Sequence, residues 1–314
     1  MLAQAQASRP KRPGIHDASK RIPIEKLTPD HVFEVPGTPD WLAIDEHVWV
    51  SNEPRNSVTR IDPIANTVVA TITVGRQPCS GLAAGFDTLW VPNCGDSTVS
   101  RIDLKTGNVL TAFPITIGNE EGGLAVGAGS VWMMTDARGT LARIDPATNR
   151  TVAEIYVAPG SFAVAFGEDA VWVTSSEQSV VTRVNPYTNV VEQTIRVGPT
   201  PRFLAVGEGS VWTLNQGDGT ISRIDPKTNT VTATIAAGIP GRGGEIAVGE
   251  GSVWATSFEY PITRVDPATN SVAQQFHGPG GDAIRVGHGS VWLSNLRQGN
   301  VWRLDPKRIE ATLP

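Results

Sequence analysis

Carboxylates beside aromatic residues are the side chains of this chain best suited to chemistry. Glu245 is predicted to lie opposite Phe203. A carboxyl group against an apolar wall has a raised pKa and can take up and release a proton, and Asp282 is a second candidate base. The planar guanidinium of Arg202 could clamp a carboxylate or stabilise an enolate-like charge. With His277, the histidine expected nearest to the same region, these form our set of candidate catalytic residues: Glu245, Asp282, Arg202 and His277.

Aromatic, amide and acidic side chains at neighbouring positions are expected to line a small-molecule pocket. The candidate substrate-binding residues are Asp40, Trp41, Asn52, Asn93, Phe162, Phe203, Asn215, Tyr260 and Asn295. Hard cations take oxygen ligands, so Asp40, Glu245 and Asp282 could hold Mg²⁺ or Ca²⁺ if the protein uses a metal. The alternative to an active site is that these charges only pair with one another around a water-filled funnel. The sequence motifs of serine hydrolases, zinc proteases and nucleotide-binding loops are missing.

A repeat of about 40 residues must position these side chains. A Val-Trp or Leu-Trp dipeptide recurs seven times at intervals of 38 to 42 residues, and Arg, an aliphatic residue and Asp or Asn follow each copy. Seven such units, each with four short strands, predict an all-β, seven-bladed β-propeller of four-stranded antiparallel blades. Because every blade shares them, the repeated residues are assigned to packing and hydrogen bonding: Trp49, Trp90, Trp132, Trp172, Trp212, Trp254 and Trp292, and Arg60, Arg101, Arg143, Arg183, Arg223, Arg264 and Arg303.

The turns of each blade predict which face carries a site. In blade 5, glycines at 207 and 209 form the turn between the first two strands, and residues 225–229 form the turn between the last two. The opposite face collects the other loops, which differ most between blades and are where sites usually lie. Residues 31–35 match the outermost strand of a blade, so we predict that this N-terminal strand completes blade 7 and closes the ring. Residues 309–313 are the competing segment.

The first 30 residues differ from the rest. They contain six basic residues and no strand pattern, so we predict a basic N-terminal extension, a tail or a cap, over 1–30 and a single propeller over 31–314. Residues 2–7, Leu-Ala-Gln-Ala-Gln-Ala, resemble the end of a signal region, and we expect a periplasmic or secreted protein. A net charge of -5 without basic clusters in the repeats argues against a nucleic-acid partner, no apolar run is long enough to span a membrane, and we expect a monomer.

The two cysteines also bear on the compartment. Cys79 and Cys94 are equidistant from a turn predicted at Phe86 and Asp87, so they should face each other across an antiparallel strand pair. A cross-strand disulfide is then geometrically possible, and such bonds persist in oxidising compartments. Two buried free thiols are the alternative.

Two short stretches resemble a known class of propeller. Gly-Ser-Val-Trp at 209–212 and Ser-Arg-Ile-Asp-Pro at 222–226 are similar to the virginiamycin B (streptogramin B) lyase-like propellers and to the YVTN (YncE-like) repeats. The antibiotic lyases use a histidine, a glutamate and Mg²⁺ to open a lactone by elimination, and the matching positions here are Asp282 and Asn295. Because both residues differ from those of the lyases, the resemblance implies elimination or lactone-type chemistry on another small molecule, with Glu245 or Asp282 as the base.

Two function classes follow from these observations. We favour a small-molecule-processing enzyme of lyase or lactone-hydrolase type, with carboxylate acid/base chemistry in the funnel and a small-molecule substrate. The alternative is a non-catalytic exported propeller that binds a peptide, glycan or protein through the same face. A quinone-dependent oxidoreductase is a third class, but its dedicated repeat motif is missing.

Overall fold

The computed structural model describes residues 12–312 and confirms the seven-bladed β-propeller. Each blade is an antiparallel sheet whose strands are named A to D from the central channel outward. The A strands of successive blades contact one another, and the A strand of blade 7 contacts that of blade 1, which closes the ring.

The strand bounds repeat the same plan with small variations. Blades 1 to 4 contain Pro39–Ile44, Val48–Asn52, Ser57–Asp62 and Thr67–Thr73; Ala83–Gly85, Thr88–Asn93, Thr98–Asp103 and Val109–Pro114; Leu124–Gly127, Ser130–Met134, Thr140–Asp145 and Arg150–Tyr156; Ser161–Gly167, Ala170–Ser175, Val180–Asn185 and Val190–Arg196. Blades 5 to 7 contain Pro201–Gly207, Ser210–Asn215, Thr220–Asp225 and Thr230–Ala236; Ile246–Gly249, Ser252–Ser257, Tyr260–Asp266 and Ser271–His277; Ile284–Gly287, Ser290–Asn295, Asn300–Leu304 and the N-terminal His31–Glu34. The described helices are Ala18–Lys20, Ile24–Lys26, Glu53–Arg55 and Pro306–Glu310.

The N-terminal strand closes the ring, as predicted. His31–Glu34 pairs antiparallel with Asn300–Leu304 and supplies strand D of blade 7. Phe33 is 3% exposed and its ring lies 5.7 Å from that of Trp292. Residues 309 and 310 of the competing segment instead lie in the short helix Pro306–Glu310, whose N-cap residue Asp305 accepts a hydrogen bond from the Lys307 amide.

The described part of the N-terminal extension packs onto blade 6. It contains a short strand, although the sequence predicts none there. Arg21–Pro23 pairs in parallel with Gln275–His277 and makes blade 6 five-stranded. Ile22 and Ile24 are buried in the cluster of blades 6 and 7. The predicted signal remnant at 2–7 lies outside the described residues. No helix within residues 12–312 has the length and apolar character needed to cross a membrane.

The repeated tryptophans and arginines hold the blades together. All seven tryptophans are fully buried. In every blade but the sixth, the repeated arginine stacks on the tryptophan, with 4.3 to 5.4 Å from Cζ to the ring centroid. The same arginines reach the C to D turn of the next blade, as Arg183 does when it donates to Pro226 O at 2.6 Å and Asn229 Oδ1 at 3.0 Å. Packing and hydrogen bonding thus account for both repeated residues.

A glycine at the end of strand A permits the close approach of neighbouring blades. A Cβ added to Gly127 would lie 2.0 Å from Phe166 of the next blade, and one added to Gly167 would lie 2.6 Å from Val206. The requirement at both positions is steric, since the next inner strand packs directly on the backbone.

The cysteines form the predicted disulfide between Cys79 and Cys94, with 5.8 Å between the Cα atoms. Near the turn the pairing has the predicted register, with Ala83 opposite Trp90. Farther from the turn it shifts, because Ser80 has φ +60° and Pro78 pairs with Asn93. The bond links the segment that precedes strand A of blade 2 to the loop after strand B.

Candidate functional site

The starts of the inner strands surround a funnel on the face that carries the D to A and B to C loops. It is a cavity of about 300 Å³, within the size range of small-molecule sites. Six residues predicted from the sequence line it together: Asp40, Trp41, Arg202, Phe203, Glu245 and Asp282. The remaining lining residues are Glu53, Glu121, Arg242, Gly243, Gly244, Phe258, Ala283 and Leu296.

Hydroxyl groups of strand B position the starts of strand A. In four blades, the backbone amide of a residue near the start of strand A donates to a hydroxyl group of strand B at 2.7 to 3.0 Å. The hydroxyl belongs to the residue two places after the repeated tryptophan. The pairs are Trp41 to Ser51, Ala163 to Thr174, Glu245 to Thr256 and Ala283 to Ser294. The Thr256 hydroxyl also donates to Asp282 O, which joins blade 6 to blade 7. The backbone beneath the site is therefore held by buried hydrogen bonds rather than by loops alone.

Asp40 and Asp282 form a carboxyl pair at the junction of blades 1 and 7. Both are half-buried, and their side chains share a hydrogen bond. Burial raises the pKa of Asp40 well above its ordinary value, and the negative charge of Asp282 raises it further. Burial also raises the pKa of Asp282 to about 6, against the opposing effect of hydrogen bonds from Asp40 and from the Gly244 backbone. Each carboxyl group of the pair therefore favours its protonated form more than an exposed aspartate does.

Glu245 is paired beneath the funnel surface. Its Oε2 lies 2.5 Å from Arg285 Nη1 and accepts from the Ile284 amide at 3.1 Å. Burial raises the pKa of Glu245, while the positive charge of Arg285 opposes the rise. We expected Glu245 to be the leading candidate base beside Phe203, but its carboxylate is directed to a cation and a backbone amide. A proton acceptor with those partners is poorly placed to reach a ligand.

Arg285, the partner of Glu245, was not among the residues predicted from the sequence. It lies opposite Trp292 in strand A of blade 7. In the six other blades the residue opposite the repeated tryptophan is alanine: Ala43, Ala83, Ala125, Ala165, Ala205 and Ala247. A single arginine at a position that is otherwise alanine was the signal that could have identified it.

Arg202 is also paired rather than free. Its Nη2 lies 2.5 Å from Glu121 Oε2, and its Cζ lies 4.2 Å from the ring centroid of Phe162. Phe162 packs 5.8 Å from Phe203, which in turn lies 5.9 Å from Trp41. The aromatic wall is therefore formed by Trp41 and Phe203, with Phe162 packed behind it as support.

The four predicted asparagines lie inside their own blades instead of around the funnel. The amide groups of Asn52, Asn93 and Asn215 donate to strand C hydroxyls at 2.9 to 3.0 Å, on Thr59, Ser100 and Ser222. Asn295 donates to Asn300 Oδ1 at 3.0 Å and accepts from the Gly281 amide at 2.9 Å. All four are at most 1% exposed, so the prediction that they line the small-molecule pocket is wrong. Their amides satisfy polar groups between strands B and C.

Tyr260 and His277 lie outside the funnel. Tyr260 is buried, and its hydroxyl donates to Arg12 O at 3.3 Å. His277 is exposed at the end of strand D of blade 6. Both residues line a second cavity of about 500 Å³ between blades 6 and 7. Tyr260 begins strand C and His277 ends strand D of blade 6, and these outer strands lie away from the channel.

The proposed metal ligands do not fit a cation in this arrangement. The carboxyls of Asp40 and Asp282 share a hydrogen bond, and Glu245 faces Arg285. No group of three or more His, Cys, Asp or Glu side chains within 12–312 is arranged to hold a metal ion. We therefore derive no reaction step through Mg²⁺ or Ca²⁺.

The comparisons with known proteins identify the fold. No protein-family model and no curated protein matches the chain. A streptogramin B lyase structure matches at 18% identity and TM-score 0.71, over 87% of this chain and 96% of the other. A catalytically inactive virginiamycin B lyase from Staphylococcus aureus with quinupristin matches at 15% identity and TM-score 0.73, over 87% and 97%. A chain of a mitotic checkpoint complex matches at 13% identity and TM-score 0.74, over 97% and 99%. At these identities the likeness is one of fold.

Proposed function

We propose that the funnel is an active site for acid/base chemistry on a small molecule, of lyase or lactone-hydrolase type. The observation that carries this proposal is the hydrogen-bonded carboxyl pair of Asp40 and Asp282. A pair with raised pKa values can hold one proton and accept another near neutral pH, which is what general acid/base catalysis requires. The aromatic wall of Trp41 and Phe203 supplies an apolar surface for the substrate beside that pair.

In an elimination, the Asp282 carboxylate would take the proton from the carbon next to a carbonyl group. The C–H electrons form the new double bond, the C–O bond to the leaving group breaks, and Asp40 gives its proton to the leaving oxygen. Asp282 is then protonated and Asp40 is ionised. Transfer of the proton across their hydrogen bond restores the starting state, so the pair gains and loses no net proton.

Arg242 is the cation best placed to stabilise the negative charge that develops on the carbonyl oxygen. It lines the funnel and is exposed, and its guanidinium makes no hydrogen bond or ion pair with the residues that the structure describes. Arg202, the arginine that we expected to play this part, is paired with Glu121. We therefore propose instead that Arg202 supports the aromatic wall by packing on Phe162 and Phe203.

The solved structures with this fold include proteins that are named lyases, which makes lyase chemistry a reasonable class to test first. The test is a screen of small lactones and β-substituted carbonyl compounds against the wild type, D282N, D40N and the surface control D87N. We expect turnover in the wild type and D87N and a decrease of about 10²- to 10⁴-fold in D282N, with ligand binding retained. Equal turnover in D282N and the wild type would refute this assignment.

A non-catalytic binding function is the second candidate. The observation that favours it is that two of the funnel's acids are already paired, Glu121 with Arg202 and Glu245 with Arg285. A binding module would show retained affinity for its ligand in D282N together with no turnover in the wild type. We also propose export to an oxidising compartment, which is supported by the disulfide. Fractionation of the source cells tests that location.

A further inference from the structure

The cavity between blades 6 and 7 has a charge opposite to that of the funnel. It measures about 500 Å³ and is bounded by the N-terminal extension, the B to C loops of both blades and residues 278–281. Phe258 lines both cavities and forms the wall between them. We propose that this second cavity is a binding site for a small anionic ligand that carries a carboxylate or phosphate group.

The charges of the lining carry the first step of the argument. Arg12, Arg21, Arg297 and His277 line the cavity, and Glu259 is the acid among its lining residues. The funnel lining, in contrast, contains five carboxylates and two arginines. Because the two cavities share a wall, an anion is drawn to the blade 6 to 7 side and repelled from the funnel side.

Two of the arginines are available to a ligand. Within residues 12–312, the guanidinium groups of Arg21 and Arg297 make no hydrogen bond or ion pair. The Arg297 guanidinium stacks on Phe258, with 4.5 Å from Cζ to the ring centroid. This contact restrains the side chain of Arg297, and the planar fork of its N–H groups suits bidentate recognition of a carboxylate or phosphate. Arg297 is therefore positioned before any ligand arrives.

The surrounding backbone is built to keep the cavity open. The Arg12 guanidinium donates to Phe258 O at 2.7 Å and to Pro240 O at 2.7 Å, which holds the rim. Gly280 and Gly281 both have positive φ, and added Cβ atoms would lie 2.7 Å from Asn295 Oδ1 and from Pro261 Cα. The glycines let the loop pass close to Asn295 of blade 7 and Pro261 of blade 6, so the loop borders the cavity between the two blades.

The experiment is calorimetric titration of the full chain with inorganic phosphate and with succinate at low ionic strength. We expect at least one probe to bind the wild type, and the double variant R21Q/R297Q to weaken that binding at least tenfold. R297K should keep part of the affinity. E259Q should strengthen binding several-fold, because it removes a negative charge that repels the anionic ligand. R150Q, which removes an exposed arginine from an outer strand, is the matched control and should bind as the wild type does.

Three results would overturn the proposal. They are no binding of either probe to the wild type, unchanged affinity in R21Q/R297Q, and loss of binding in R242Q, which would place the anion in the funnel. Thermal unfolding of each variant shows that the fold is retained. Titration does not depend on turnover, so this site stands or fails separately from the proposed active site. Preference for phosphate or for succinate distinguishes the two anion classes.

Discussion

The carboxyl groups of Asp40 and Asp282 share a hydrogen bond across the junction of the first and last blades. Asp40 lies in strand A of blade 1, and Asp282 lies just before strand A of blade 7. The pair therefore exists only in the closed ring. The candidate site and the closure of the fold depend on the same junction.

The Asp40–Asp282 pair should lower the stability of the folded protein as the pH rises. The pKa of Asp282 is about 6 in the folded protein, above that of an unfolded aspartate near 3.8, so the folded state binds more protons between those values. The pair's contribution to the free energy of unfolding therefore falls as the pH rises from about 4 to 6. D282N should be more stable than the wild type by about 3 kcal/mol at pH 7.5 and by much less at pH 4.5. Urea unfolding at both pH values measures this, and an equal difference at both would contradict it.

The proposed mechanism predicts a bell-shaped pH profile. Activity needs an ionised Asp282 and a protonated Asp40, so kcat/KM should rise with an apparent pKa near 6 and fall again at higher pH as Asp40 loses its proton. D40N has no acidic proton to give to the leaving oxygen, so its rate should fall sharply, and the pH profile of its residual activity should lack the alkaline limb. A D40N profile that matches the wild type would remove Asp40 from the acid role.

Arg285 should be a stability residue whose effect depends on Glu245. R285A leaves a buried carboxylate without its cation and should cost about 3 to 5 kcal/mol in the free energy of unfolding. The double variant E245A/R285A should recover most of that loss, because no unpaired charge remains. A double-mutant cycle by chemical denaturation gives the coupling energy. Purely additive effects would show that the ion pair is not coupled.

The closing strand offers a matched pair of variants. Phe33 is 3% exposed and packs on Trp292, whereas its neighbour Val32 is 40% exposed on the other side of the strand. F33A should destabilise the protein by about 3 to 5 kcal/mol, and V32A by well under 1 kcal/mol. Thermal unfolding of the two variants tests whether strand D of blade 7 is held by this contact.

The disulfide should contribute to stability without lying in the site. Removing it in C79A/C94A is expected to cost about 3 kcal/mol, the chain-entropy value for a loop of roughly this length. Incubation with a reductant should lower the midpoint of unfolding of the wild type and leave that of C79A/C94A unchanged. A reductant effect of equal size in both proteins would mean that the bond is not responsible.

The number of blades, the strand plan and the closing strand could be predicted from the sequence. The blade count and the strand plan rest on pairing between neighbouring strands, which each repeat encodes in its own residues, such as Trp212 and Arg223. The closing strand could be predicted because residues 31–35 match the outermost strand of a blade. Comparison of the repeats also placed Asp40, Trp41, Arg202, Phe203, Glu245 and Asp282 at one mouth, since equivalent positions in a closed ring must converge.

Which of these side chains are free to act depends on contacts that form only in the folded ring. Asp40 meets Asp282 because blade 7 joins blade 1, and Glu245 turns to Arg285 of the next blade. The contacts of Asp40 with Asp282 and of Glu245 with Arg285 are made by side chains that differ from blade to blade, so the shared repeat pattern does not predict them. The asparagines at the ends of the B strands could not be placed from the sequence either. The side chain of Asn215, for example, donates a hydrogen bond to the buried Ser222 hydroxyl within its own blade.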